Sequence, residues 1–262
     1  LRPTSRTLVE KENRMSRVIS WFSCGAASAY TTYLAAEKYK DRDFRAVYCR
    51  VTEEHPDNIR FLHEFEEATG IPVEIIQDEK HNGSIYSVFL KRKFIKGING
   101  APCTMELKRW QREKYQLPTD IQLLGYTVEE QSRIDRFIAL NCEDVNAEFI
   151  LADRGINKAD CLTFIKTLGI EPSIMYSLGY SNANCIGCVK GGMGYWNAIR
   201  VDFPEAFHKM AKLERQIGHA INKDKDGPVY LDVLATDRGN FKRDMPGDCG
   251  FTCEKSQGEL DL

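Results

Sequence analysis

The hydrophobic and polar positions change period several times along the chain. Residues 17–22 (RVISWF) make a short apolar run, which predicts a buried strand. Residues 29–39 switch to helical spacing, and 44–51 return to the aromatic and β-branched composition of a strand. Pro56 opens a helix, where its ring is tolerated, and Gly70 stops it. A third strand is expected over 72–77, helices over 84–93 and 104–115, and further strands over 121–125 and 148–152. Strands alternating with helices predict βαβ units and a doubly wound, mostly parallel sheet of the α/β class. Such a sheet binds ligands beyond the carboxyl ends of its strands.

After Ala152 the pattern changes. A helix is expected over 158–168, ended by Gly169. Residues 176–194 are rich in glycine and asparagine, 204–221 read as an amphipathic helix, and from 223 the chain is charged and irregular. Residues 1–14 are polar and unpatterned, and Met15-Ser16-Arg17-Val18 reads as a native start behind an upstream segment. The expected division is therefore a main α/β domain over 15–155 and a smaller helical, cysteine-containing lobe over 156–262, packed on the same core.

Composition narrows the function. A chain of 262 residues that is 42% hydrophobic can bury a sizeable core. Its formal net charge of −2 does not suit a strongly basic nucleic-acid protein, so direct DNA contact is expected to be weak and salt-sensitive, with DNA reached through partners. No membrane-length apolar run or secretion signal is evident, and the expected location is cytoplasmic, with no membrane partner. Nine cysteines, an odd count, disfavour a disulfide framework and favour metal or redox use for some of them. Cys49, Cys142 and Cys161 lie among apolar neighbours and read as buried small hydrophobes.

The first strand runs into Ser23-Cys24-Gly25-Ala26-Ala27-Ser28 and then into a helix. Small side chains let backbone N–H groups approach an anion, and the helix dipole adds about half a positive charge there. The loop is no Walker A motif, since it lacks Gly-Lys-Ser/Thr. It resembles the S-G-G-x-D-S loop of the PP-loop ATP pyrophosphatases, in the adenine-nucleotide alpha-hydrolase-like superfamily. Cys24 stands in place of glycine and Ala27 in place of aspartate. The segment from Gly125 through Glu130 to Arg133 is similar to that superfamily's G-x-x-x-x-E-x-x-R stretch. Glu130 and Arg133 share a helix face, and Arg133 or Arg136 can hold phosphate or sulfate as a planar fork. The resemblance implies a Rossmann-like nucleotide-binding fold and ATP, or a phosphosulfate nucleotide (PAPS or APS), over residues 23–28. Magnesium is an open companion of the nucleotide.

Cys185-Ile186-Gly187-Cys188 is a C-x-x-C between glycines, able to put two thiolates on one centre. Cys103 lies far upstream, and Cys249 and Cys253 downstream. Zinc and iron–sulfur clusters use the same ligands, and spacing leaves the choice open. The Cys103…Cys185-x-x-Cys188 pattern resembles that of iron–sulfur APS/PAPS-reductase-like proteins. That likeness implies a cluster, a 4Fe-4S cluster by this reading, on Cys103, Cys185 and Cys188, with Cys249 or Cys253 as a fourth ligand or the site left open. Asp248-Cys249-Gly250 resembles the reductases' C-terminal E-C-G, which makes Cys249 either a ligand or an attacking thiol. Lys108 and Arg109 can neutralise phosphate or a charged cluster, Glu53 and Glu54 can reach ribose or a metal, and residues 191–194 can offer amides to an anion.

The set of motifs is most similar to the DNA phosphorothioation proteins of the DndC/SspD type and their phage-borne relatives. That implies ATP-dependent activation of an acceptor, with sulfur supplied by a cysteine desulfurase or another donor. Cys249, Arg133 and Lys108 are the candidate catalytic groups. A PAPS/APS reductase, and a nucleotide-binding redox factor without turnover, are the alternatives. Oligomeric state stays open, a homo-oligomer included.

Overall fold

The computed structural model describes residues 16–98, 100–141 and 145–247. Five strands, β1 (Val18–Phe22), β2 (Phe44–Arg50), β3 (Val73–Gln77), β4 (Ile121–Leu123) and β5 (Asn146–Glu148), form one sheet in the order β3-β2-β1-β4-β5. The β1–β2, β1–β4 and β4–β5 pairings are all parallel, and Ser20 sits opposite both Ala46 and Leu123. This is the expected doubly wound α/β architecture. All five β1 residues are buried, as a central strand covered on both faces requires.

Two compact units divide the described chain. The first takes 16–49, 57–76 and 113–173; the second takes 50–56, 77–112 and 174–247. The contacts do not divide the chain at the expected 155/156 boundary. Residues 50–56 and 77–112 leave the sheet after β2 and β3 and join the C-terminal segment in an apolar cluster of their own.

In the first unit the helix Ala26–Lys38 packs against Lys158–Thr167, with Tyr30 stacked on Phe164 at 4.0 Å. Asn157 caps the latter helix by accepting the Asp160 N–H, and Asp160 returns the bond, so a capping box fixes its start. Gly70, at φ 70°, ends the helix Asp57–Thr69 in the left-handed region that glycine adopts freely. Arg17 makes a bidentate pair with buried Asp120, at 3.0 and 2.6 Å, tying the start of β1 to the turn before β4.

One strand expectation is corrected. Residues 148–152 are not a strand: β5 ends at Glu148, and Ile150–Asp153 form a short helix with Ile150 and Leu151 buried. A short apolar run reads the same for a buried strand and a buried helical turn.

The second unit contains the helices Ile85–Arg92, Met193–Asp202 and Pro204–Ile217 and the antiparallel hairpin of β6 (Asn222–Asp224) and β7 (Gly227–Val229). Glu214, fully buried, ties this hairpin down: its two oxygens accept the Ile221 and Leu231 N–H groups, each at 2.6 Å. Burial pushes its carboxyl up to about 7, against those two bonds, which favour the charged form. The folded chain therefore keeps a proton that the unfolded chain loses near pH 4.5. Stability is intact below that pH and falls as pH rises toward 7, by on the order of 2–3 kcal/mol. Denaturant unfolding between about pH 5 and 8 should show this slope, and Glu214→Gln should flatten it. An equally steep slope in the variant would assign it to other groups. Among the described residues, no helix is long and apolar enough to cross a membrane.

Candidate functional site

The first unit presents a strand-to-helix loop, residues 23–28, at the point where the sheet reverses its winding. From β1 the strand order runs one way to β2 and β3 and the other way to β4 and β5, so the crevice beyond β1 and β4 is the topological switch point. The loop 23–28 leaves β1 there, and residues 124–127 leave β4 beside it. Their approach is so close that a Cβ on Gly125 would stand 2.8 Å from the Ser28 Cα and N. Only glycine fits at that position without moving backbone.

The loop is braced from within. The Ser28 hydroxyl accepts the Ser23 N–H and the Ser23 Oγ–H, both at 3.0 Å, and donates to the Gly25 carbonyl at 2.9 Å. Cys24 takes φ 56° and buries its side chain completely, a left-handed conformation that glycine adopts more readily. Gly25 is the N-cap of the helix Ala26–Lys38 and makes no side-chain cap bond. First-turn N–H groups of a helix have no intrahelical acceptor, and a helix start of this kind suits an anion. The Ser28 hydroxyl thus holds the loop's shape.

Beyond β4, Glu130 closes a capping box with Thr127, and Glu129 accepts the Lys158 N–H at 2.9 Å. Glu130 and Arg133 form an ion pair, each about a quarter exposed, and the Arg133 guanidinium lies 4.5 Å from the centre of the Tyr126 ring. The pair and the stacking fix the Arg133 head close to the switch point. Cys161 and Cys49 are buried, as expected, and burial pushes the Cys161 thiol up to about 12. Cys142 lies outside the described residues.

The second unit gathers the other predicted residues. Cys185 and Cys188 belong to its apolar cluster, and Cys103 packs against that cluster from the turn Pro102–Thr104. Gly187, at φ 72°, allows the C-x-x-C turn. The buried Tyr195 hydroxyl accepts the Cys188 N–H at 2.8 Å and lies 3.4 Å from the Cys185 carbonyl, so it spans the turn. The Ile186 N–H donates to the Glu53 carbonyl at 2.8 Å. Even so, no group of three His, Cys, Asp or Glu side chains among the described residues is arranged to hold a metal ion. Cys249 and Cys253 lie outside the described residues.

Three other expectations meet specific partners. Glu53 accepts the Ser84 hydroxyl at 2.6 Å and the Ile85 N–H at 2.9 Å, capping the helix Ile85–Arg92. Glu54 pairs with Lys108 at 2.6 Å with both side chains nearly buried, so the Lys108 charge is already balanced. The amides of residues 191–194 do meet an anion, but it is the chain's own: the Asp244 carboxylate accepts the Gly194 N–H at 2.8 Å.

Sequence reasoning missed a buried polar network in this unit. Glu106 sits in a π-helical turn, Met105–Arg109, and is 1% exposed. It receives Arg92 at 2.5 Å, His81 at 2.8 Å and Lys80 at 3.1 Å. Burial pushes its carboxyl up, but these three hydrogen bonds outweigh it and hold the group below the ordinary carboxyl range. Buried Asp78 accepts the His81 N–H at 2.7 Å and Gln111 at 2.9 Å.

No protein-family model matches the chain, and no curated protein matches it. Among solved structures it is similar to the U34-tRNA thiolase NcsA from Methanococcus maripaludis with its [4Fe-4S] cluster. The identity is 14% and the TM-score 0.46, over 82% of this chain and 81% of that one.

Proposed function

We propose that the chain is an ATP-dependent enzyme of the PP-loop kind that activates an acceptor oxygen for sulfur incorporation. The observation that supports this reading is the pre-braced loop 23–28 at the switch point, with Gly125 pressed against it. Nucleotide phosphates would rest on the first-turn N–H groups of the helix Ala26–Lys38, where the helix dipole favours negative charge. Arg133, held by Glu130 and Tyr126, would bind a phosphate oxygen as charge develops on the leaving group. The acceptor oxygen attacks the α-phosphorus and pyrophosphate leaves. A sulfur nucleophile, supplied through a donor such as a cysteine desulfurase, then displaces AMP. The motif set favours DNA phosphorothioation as the setting, with DNA brought by partners.

We assign Cys185 and Cys188, on the turn that Gly187 allows, to sulfur handling. ATP–pyrophosphate exchange tests the reading: exchange supports it, whereas sulfite release from PAPS or APS without exchange would assign the chain to the reductases. Ser28→Ala removes the three bonds that shape the loop, each worth about 0.5–1.5 kcal/mol net. Calorimetric titration should show ATP affinity falling by about tenfold. Unchanged affinity would move the nucleotide away from this loop.

A further inference from the structure

Residues 77–112, all in the second unit, are a basic segment of a slightly acidic chain. They include eight lysines and arginines against three aspartates and glutamates, whereas the formal net charge of the whole is −2. Two of these cations converge on one aromatic ring. The Lys80 Nζ and the Arg92 guanidinium lie 5.9 and 5.7 Å from the centre of the Trp110 ring. Both are tethered to the buried Glu106 carboxylate, yet their side chains stay 47% and 48% exposed. One carboxylate against two cations leaves positive charge in excess beside the ring.

Arg92 bonds Glu106 through Nε alone, and its terminal nitrogens meet no other acceptor among the described residues. A fork held in this way suits a phosphate oxygen pair. Lys91 and Lys93 flank Arg92, are exposed and form no ion pair among the described residues. Phe94 follows them and is 39% exposed. Of the chain's three tryptophans, Trp21 and Trp196 are 3% and 0% exposed, and Trp110 is half-buried. An acidic peptide or an anionic membrane would need only the cations. Rings set among cations suit a polyanion that has flat rings of its own, free to stack, which a base-paired duplex does not offer.

We propose that Lys80, Arg92 and Trp110, with Lys91, Lys93 and Phe94 next along the chain, form a surface that holds single-stranded DNA. The cations take phosphates and the rings take unpaired bases. Glu106 is a positioning residue here, since it sets the Lys80 and Arg92 heads beside Trp110. Partners deliver the DNA, and this surface holds the strand once it is unpaired. The choice of DNA rests on the phosphorothioation setting proposed above; the cations and the rings do not.

The test titrates the full chain, without ATP, with an oligodeoxythymidylate of on the order of 20 nucleotides, enough to cover one such surface. Intrinsic fluorescence should be quenched, because Trp110 is the tryptophan a base can reach. Affinity should fall with salt, with a logarithmic slope of about 0.7 per phosphate held. Trp110→Leu should weaken binding about tenfold and leave that slope unchanged. Lys91→Ala with Lys93→Ala should reduce the slope by about 1.4, two phosphates' worth, and leave the quenching at saturation. Absence of quenching would overturn the proposal, as would a matched duplex binding as tightly, an oligouridylate binding more tightly, or polyglutamate of equal charge displacing the DNA. Should Trp110→Leu fail to fold, the double lysine variant, altered only at exposed positions, decides: an unchanged slope overturns the proposal too. With no nucleotide present, failure here leaves the ATP–pyrophosphate exchange experiment untouched, and a failed exchange leaves this binding measurable.

Discussion

Gly125→Ala is expected to impair nucleotide binding more than any other single methyl added to the first unit. The new Cβ would stand 2.8 Å from both Cα and N of Ser28, and 3.0 Å from the Ala27 carbonyl carbon. All three are backbone atoms, so no side chain can swing aside. Either the end of β4 or the start of the helix Ala26–Lys38 must move. Overpacking of this kind costs about 1–3 kcal/mol of stability. The same displacement turns the first-turn N–H groups away from a shared anion, and misplaced donors lose most of their value. Calorimetric titration should show ATP affinity falling at least ~tenfold, and by more than in Ser28→Ala, while thermal unfolding shows a chain that is still folded. A Gly125→Ala protein that binds ATP as tightly as the parent would place the nucleotide elsewhere on the sheet.

That loop was legible because its signals are local. A buried apolar strand, a run of small residues and a helix follow one another in the sequence, and each carries its own period or composition. The same holds for Gly70 as a helix stop and for Asn157 with Asp160 as a helix start. What the sequence hid depends on partners far along the chain. Lys108 reads as an available cation until Glu54 is found against it, and the glycines at 191–194 read as an anion nest until Asp244 fills it. Glu53 reads as a ligand for ribose or metal until Ser84 and Ile85 claim its oxygens. In each case the residue type pointed correctly to a charge or an amide seeking a partner, and the fold supplied the partner internally. The strand expected over 148–152 failed for a different reason: the apolar residues 149–152 follow one another without a break and carry no period at all.

Glu106→Ala is expected to be the most destabilising single truncation in the second unit. Glu106 has no local motif around it, yet its carboxylate is where Arg92, Lys80 and His81 converge. Truncation leaves these donors without their acceptor. Lys80 and Arg92 are about half exposed and can turn to water, whereas the His81 side chain is 1% exposed and cannot. The cost should therefore fall near ~3 kcal/mol, the low end for breaking a buried ion pair. In a chain of this size that lowers the melting temperature by about 6–10 °C. Glu106→Gln should cost less, because its amide oxygen can still accept from His81. The carboxyl is held below the ordinary range, so its contribution is present above that range and lost as pH falls through it. The gap between parent and Glu106→Ala should accordingly hold from neutral pH down to the ordinary carboxyl value of 4.5 and narrow as pH falls below it. Equal stability of the two at neutral pH would show that the three donors reach adequate partners without the carboxylate, and that the π-helical turn is held by its apolar contacts alone.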